Sequence, residues 1–177
     1  MGRKRNPWSI GMLTLFPEMF PGPLGFSLAG RALDEKLWNL NIYDIRRFCE
    51  KSAEVDSSPF GGGNGMVMRA DVIDRVLSTV TQDPNYAQLP VVYMTPRGTP
   101  LTQEKVKIFS QGDGAIILCG RYEGVDERAV AEWGMEEISV GDYVLSGGEP
   151  AAISFVDACV RLLPGVVGKE ESLEDES

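Results

Sequence analysis

The chain has 177 residues, 43% of them apolar and 24% charged, and its net charge is −9. This length predicts one domain that folds without disulfide or metal support, and the acidic balance argues against a stand-alone nucleic-acid-binding module. The complete absence of histidine excludes a Ser–His triad, histidine acid–base catalysis and any zinc site with an imidazole ligand.

Five short apolar runs alternate along the chain with five stretches of helical periodicity. This alternation is typical of βαβ units, so we predict an α/β fold with a mainly parallel sheet and flanking helices. Residues 115–119 are apolar throughout, as expected of a central strand covered on both faces. The predicted strands are 10–15, 40–45, 90–95, 115–119 and 137–140, and the predicted helices lie near 27–38, 69–81, 102–110, 125–132 and 150–163.

The last predicted helix has the clearest boundaries. Pro150 suits the first position of a helix, and apolar residues repeat from there at spacings of three and four. Pro164 and Gly165 follow, and we expect them to end the helix.

Two segments carry no strong secondary-structure signal. Residues 50–65 have few large apolar side chains and include a run of glycines, which predicts a long mobile loop. Residues 169–177 contain five acids and a single leucine, and such a segment cannot pack alone. We therefore predict one folded domain over 1–168 and an acidic linker or tail over 169–177.

The sequence also predicts the cellular compartment. The basic start has no apolar stretch behind it, and no apolar run approaches the length that spans a bilayer. The three cysteines, Cys49, Cys119 and Cys159, are odd in number and form no CxxC motif, so neither a thiolate metal site nor a disulfide framework is indicated. We expect a soluble cytoplasmic protein without a bound metal.

Candidate binding residues follow three of the predicted strands. The segments after the third, fourth and fifth strands are rich in glycine, charge and tyrosine. Because ligands of parallel sheets bind beyond the carboxyl ends of the strands, these segments are predicted to meet at one site. The alternative interpretation is that they are ordinary turns.

The missing motifs narrow the choice of ligand. Neither GxGxxG nor GxxxxGK[ST] occurs, so the usual phosphate cradles are absent. A loop with Tyr143, Val144 and Leu145 and no cation suits a flat base such as adenine. Asp157 and Arg161, four residues apart in the last helix, are either a solvent-exposed ion pair or a functional arginine.

At these loops the sequence resembles the bacterial tRNA (guanine-N1)-methyltransferases. Supporting motifs lie at 15–20, 59–66 and 161–166, and the resemblance runs from about Ile10 to the end. Its most specific parts are Cys119-Gly120-Arg121-Tyr122-Glu123-Gly124-Val125-Asp126-Glu127-Arg128 and Ser139-Val140-Gly141-Asp142-Tyr143-Val144-Leu145-Ser146-Gly147-Gly148-Glu149.

This resemblance implies a fold, a cofactor and partners. The fold would be the SPOUT type with a deep trefoil knot, the assembly a homodimer, and the cofactor S-adenosylmethionine. The substrate would be tRNA, methylated at N1 of the guanosine directly 3′ of the anticodon. The family also has a helical C-terminal domain that binds tRNA, which we expect to be absent from this chain.

The resemblance also implies site residues. Arg161 would hold the guanine O6, and Asp175 or Glu176 would be the general base. Asp56, Gly65 and Glu123 would face the substrate, with Glu123 also near the cofactor. The cofactor site would comprise Pro96, Gly120, Tyr122, Glu123, Gly124, Val140, Gly141, Asp142, Tyr143, Val144, Leu145, Gly147 and Gly148.

The sequence departs from the family pattern at two places. The family base is an Asp directly before a Ser-Phe pair, whereas Glu176 precedes Ser177 here and Asp175 stands one residue earlier. After Asp56, the family has Asp, a basic residue and Tyr where this chain has Ser57, Ser58 and Phe60. Two other functions stay open at this point, namely a Rossmann-type NAD-binding enzyme and a non-catalytic nucleotide-sensing module.

Overall fold

The computed structural model describes residues 6–49, 55–59, 62 and 65–167. Its centre is a five-stranded sheet in the order β2-β1-β6-β5-β7, in which every neighbouring pair is parallel. The predicted α/β class with a mainly parallel sheet is confirmed. The strands are β1 (Trp8–Thr14), β2 (Trp38–Asp44), β5 (Val91–Pro100), β6 (Gly114–Cys119) and β7 (Glu136–Ser139), and a separate antiparallel pair comprises β3 (Asp56–Ser57) and β4 (Val67–Met68).

Helices cover both faces of the sheet, which explains why its central strands are apolar on both sides. One core contains residues of the first, third and fifth helices, and in it the rings of Phe109 and Phe155 pack edge-to-face with their centroids 4.9 Å apart. The other core contains residues of the second and fourth helices. Every residue of β1 and β6 is buried. The helices are α1 (Ser27–Asp34), α2 (Ala70–Val80), α3 (Gln103–Gln111), α4 (Glu127–Glu132) and α5 (Glu149–Val160), with short 3-10 helices at Pro17–Met19, Gly22–Gly25 and Ile45–Phe48.

All five predicted helices exist, but several boundaries were wrong. The first ends at Asp34, because Trp38 begins β2. The fourth begins at Glu127, because the Asp126 side chain accepts a hydrogen bond from the Arg128 amide and caps the helix. The last ends at Val160, before Pro164 and Gly165, with Arg161 as its C-terminal cap residue.

The prediction of one long loop over 50–65 was also wrong in part. Asp56 and Ser57 form β3, which pairs antiparallel with β4. Two-residue strands leave almost no periodicity in a sequence, which is why the pattern did not indicate them. The Gly61 and Asn64 positions of the glycine run, and the tail with Asp175 and Glu176, lie outside the described residues.

β5 leaves and rejoins the sheet before it ends. Ile138 of β7 pairs with Met94 and again with Thr99, so Thr95 to Gly98 arch away between the two pairings. Gly98 lies so close to the Glu137 backbone that a side chain there would overlap it. This arch brings Pro96 and Arg97 over the carboxyl end of the sheet, where we predicted the site. The trefoil knot stays a prediction.

The described part of the chain contains no helix that is both long and apolar enough to cross a membrane. Cys49, Cys119 and Cys159 are free thiols. Within the same ranges, no cluster of three or more acidic or cysteine side chains is placed to hold a metal ion.

Candidate methyl-donor site

A cavity of about 310 Å³ opens at the carboxyl edge of β5, β6 and β7. Three chain segments enclose it: the β5 arch, residues 120–125 after β6, which we call the first wall, and residues 139–148 after β7, which we call the second wall. These are the three segments that the sequence predicted to meet, and ligand pockets of parallel sheets lie at this edge. The predicted residues that line it are Pro96, Gly120, Tyr122, Glu123, Gly124, Val140, Gly141, Tyr143, Val144, Leu145, Gly147 and Gly148.

One predicted cofactor residue is placed differently. Asp142 lies in the same loop as Gly141 and Tyr143 but is not among the residues that line the cavity. Asp142 is exposed.

The first wall depends on glycines because an aromatic ring lies directly behind it. A Cβ on Gly120 would sit 2.7 Å from Cε2 of Tyr93, and one on Gly124 would sit 3.0 Å from the Tyr93 hydroxyl. Burial raises the pKa of Tyr93, so this ring stays neutral at the back of the cavity. Substitution of either glycine would push the loop into the ligand space.

The first wall also pairs with the segment that follows the glycine run. The amides of Glu123 and Asp126 donate to the carbonyls of Met66 and Met68 at 2.9 and 3.0 Å, and the Met68 amide donates to Gly124 at 2.9 Å. Gly65 has φ of +89° and abuts Glu123, since a Cβ there would lie 3.1 Å from Oε1. The structure therefore brings together Gly65 and Glu123, two residues predicted to face the substrate, whereas Asp56 lies nearby on β3.

The second wall is tied to the first at its end. The Gly148 amide donates to the Gly120 carbonyl at 2.9 Å, and Nη1 of Arg121 donates to the Ser146 carbonyl at 3.0 Å. Val144, which precedes both ties in the loop, is 84% exposed. This wall is held firmly at the helix and offers apolar side chains in the middle.

Both arginines among the described residues that line the cavity form ion pairs with carboxylates. Arg97 forms ion pairs with Glu127 and Glu137, and Arg121 pairs with the buried Glu149 at 2.7 Å. Glu123, which is exposed, forms no ion pair with any residue that the structure describes. The site therefore suits an uncharged or cationic ligand better than a pyrophosphate.

Sequence reasoning missed the pairing between Arg121 and Glu149. Arg121 and Glu149 are far apart in the sequence, and no spacing between them indicates a contact. Only the family motifs suggested that both lie near the same site. A charged residue at the first turn of an otherwise apolar helix was the one signal available.

Arg161 lies away from the cavity of its own chain. It follows the last residue of α5, whose first turn borders the cavity, so the helix separates the two by about 18 Å. Its amide donates to the Asp157 carbonyl at 3.2 Å. Arg161 is not among the residues that line this cavity.

The chain matches one family model and several curated proteins over most of its length. Residues 8–177 match the family model described as tRNA (Guanine-1)-methyltransferase TrmD. The chain is 55% identical to the tRNA (guanine-N(1)-)-methyltransferase of Zymomonas mobilis over 97% of this chain and 69% of that protein. The proteins of the same name from Nitrobacter winogradskyi and Brucella ovis are 56% and 59% identical, over 96% and 94% of this chain and 70% and 67% of theirs.

A solved structure is similar over most of the fold. The tRNA (m1G37) methyltransferase of Aquifex aeolicus superposes with a TM-score of 0.84 at 36% identity. The match covers 93% of this chain and 73% of that one.

Proposed function

This chain belongs to the tRNA (guanine-1)-methyltransferase family and is accordingly a tRNA methyltransferase, and from that premise we propose that its cavity binds S-adenosylmethionine. The proposed acceptor is N1 of the guanosine directly 3′ of the anticodon, position 37, for which the Aquifex relative is named. The observation that carries the proposal is the cavity between residues 120–125 and residues 139–148. Since tRNA is the substrate, we place the protein in the cytoplasm.

The chemistry of the cavity fits this donor. Both arginines that line it are already paired with carboxylates, which disfavours NAD and ATP. Val144 and Leu145 offer apolar surface to an adenine, and glycine backbone can approach its edges. The carboxylate of Glu123 complements a cationic sulfonium group or the guanine.

A thermal-shift panel tests the choice of ligand. S-adenosylmethionine or S-adenosylhomocysteine, at about a hundred times its dissociation constant, should stabilise the folded chain by roughly 2.7 kcal/mol. NAD and ATP at the same concentration should give no shift. Stabilisation by NAD alone would favour the oxidoreductase interpretation and sink the proposal.

The proposed assembly is a homodimer with two equivalent sites. Phe26 and Val144 are 74% and 84% exposed, which leaves apolar surface that a second copy can cover. The separation of about 18 Å between Arg161 and the cavity of its own chain supports the same assembly, because a two-fold interface can bring Arg161 to the partner's cavity. Sedimentation that detects only monomer at micromolar concentration would contradict this.

In the proposed mechanism, Arg161 and a tail acid act together on the guanine. The bound donor supplies an electrophilic methyl group. A carboxylate, Asp175 or Glu176, takes the N1 proton, but its ordinary pKa near 4 makes it a weak base for that proton. The guanidinium of Arg161 therefore stabilises the negative charge that develops on O6 as N1 loses its proton to the carboxylate.

Arg161→Ala tests this role. We expect turnover to fall by about 10²–10³, the usual cost of removing a preorganised donor, while donor affinity barely changes. Arg161→Lys should recover little, since a point charge does not reproduce the planar fork. Normal turnover would remove Arg161 from the site.

A mixed dimer tests which subunit supplies the arginine. One chain carries Arg161→Ala with an intact cavity, and the other carries Leu145→Arg, which obstructs the cavity from an exposed loop position and leaves Arg161 intact. If the arginine acts across the interface, one complete site remains and activity returns. If it acts within its own chain, neither site is complete and the mixture stays inactive.

A further inference from the structure

A closed ring of contacts lies behind the second wall of the cavity. The Glu149 carboxyl is completely buried at the start of α5. The hydroxyl of Thr14 donates to Glu149 Oε1 at 2.7 Å and accepts from the Phe16 amide at 2.9 Å. Arg121 completes the ring, because its Nη2 lies 2.7 Å from Glu149 Oε2 and its guanidinium stacks over the Phe16 ring at 4.2 Å.

This ring connects three parts of the molecule that meet at the cavity. Thr14 and Phe16 mark the end of β1, Arg121 belongs to the loop after β6, and Glu149 begins α5. Through Nη1, Arg121 also holds the Ser146 carbonyl of the second wall at 3.0 Å. One arginine therefore contacts both walls and the edge of the sheet.

The glycine turn of the second wall rests directly on the ion pair. A Cβ on Gly147 would lie 2.6 Å from Glu149 Oε2 and would overlap the Arg121 guanidinium. The next residue, Gly148, donates its amide to Gly120 across the cavity edge. The path of this turn is therefore set by where the two charged side chains sit.

Stability alone does not account for a pair in this position. Desolvating two charges offsets much of their attraction, and apolar residues of similar volume often stabilise a core equally well. We propose that Arg121 and Glu149 are positioning residues that hold the 146–148 turn in the shape that binds the methyl donor. This inference rests on the proposed function and adds two residues that act on the donor loop from behind.

Calorimetry with S-adenosylhomocysteine on the full chain tests the pair. In Glu149→Gln the amide would turn a donor toward Arg121, so we expect the dissociation constant to rise about tenfold to hundredfold, as for residues that orient metal ligands from behind. Arg121→Met should raise the dissociation constant by a similar factor. The matched control is Glu136→Gln, which breaks the exposed ion pair with Lys105 at the opposite end of β7 and should bind normally.

Thr14 supplies a conservative rescue. Thr14→Val removes the hydroxyl and leaves both Glu149 Oε1 and the Phe16 amide without it, so donor affinity should fall. Thr14→Ser keeps the hydroxyl and should restore affinity to near that of the unmodified chain. Equal loss in both Thr14 variants would overturn the role of the ring.

Steady-state kinetics separates positioning from folding. A loosened donor loop raises KM for S-adenosylmethionine and leaves KM for tRNA unchanged, whereas partial unfolding lowers kcat and changes neither KM. Normal donor affinity in folded Glu149→Gln and Arg121→Met, or a fall in kcat alone, would overturn the inference. Absence of binding by the unmodified chain would instead overturn the proposed function.

Discussion

The two loops that form the cavity are held in different ways. Residues 120–126 are fixed along their length, because three backbone hydrogen bonds join them to Met66 and Met68, and Val125 is buried in the core. Residues 140–148 are fixed mainly at the ends, through Ser139, Arg121 and Gly120, while Val144 between them is 84% exposed. The chain thus builds one wall completely by itself and leaves the middle of the other for a ligand or a second copy.

The largest expected effect comes from the joint between the walls. A Cβ on Gly148 would lie 2.9 Å from both Cys119 Cα and the Gly120 amide nitrogen, and backbone cannot move aside cheaply. Gly148→Ala should destabilise the fold by up to about 3 kcal/mol, as overpacking does. The control is Gly141→Ala, where the added carbon meets only the Tyr143 ring, which is 55% exposed and free to turn away. Equal denaturation midpoints for Gly148→Ala and Gly141→Ala would show that the backbone around Gly148 can shift at little cost in free energy.

A pair of valines compares the two walls directly. Val125 is 4% exposed and Val144 is 84% exposed. Val125→Ala should lower the free energy of unfolding by about 2 kcal/mol, from roughly 0.8 kcal/mol per buried methylene and a cavity contribution. Val144→Ala should change it by less than about 0.5 kcal/mol. Urea denaturation of both variants measures the difference, and a comparable loss for Val144→Ala would mean that this side chain is packed in the working assembly.

The helix cap of the first wall has a smaller expected effect. Asp126 accepts from the Arg128 amide at 3.0 Å and begins α4. Asp126→Ala should cost about 1 kcal/mol of stability, the typical value of a lost cap. Asp126→Asn keeps a good capping group, so thermal unfolding at neutral pH should show little change. Equal melting temperatures for Asp126→Ala and Asp126→Asn at neutral pH would show that the cap does not contribute to stability.

The smallest effect is a dependence on pH. Hydrogen bonds from the Arg128 guanidinium hold the pKa of Asp126 below its ordinary value near 3.8. A carboxyl with a lowered pKa stabilises the fold above its unfolded pKa, and this contribution is lost as the pH falls through the folded pKa. Asp126→Asn should therefore flatten the stability profile below about pH 4. Parallel acid-denaturation profiles for the two proteins would contradict this.

Much of the sheet could be predicted because burial leaves a periodic pattern. The apolar run of β6 and the repeat in α5 reflect strands and helices that cover one another, so the five strands of the main sheet and the five α-helices were predicted, whereas β3 and β4 were not. The converging loops followed from the rule that parallel strands end at one edge. Local signals of this kind depend on neighbours in sequence and need no knowledge of the tertiary structure.

The features that could not be predicted depend on contacts between residues that are far apart in the sequence. Thr14 meets Glu149 across 135 residues, and no spacing in the sequence indicates that hydrogen bond. The distance of Arg161 from its own cavity likewise became visible only when α5 was placed in three dimensions. Asp142 was assigned to the site with its whole motif, and it is not among the residues that line the cavity.

The arch in β5 restricts how the length of this chain can vary. Met94 and Thr99 pair with the same residue, Ile138, so both feet of the arch are anchored at one point of β7. An inserted residue could not be absorbed by sliding one strand past the other, because either foot would lose its register. It would instead enlarge the arch at Pro96 and Arg97, directly over the cavity. Natural or engineered variants should therefore conserve the number of residues here, even where the amino acids themselves change.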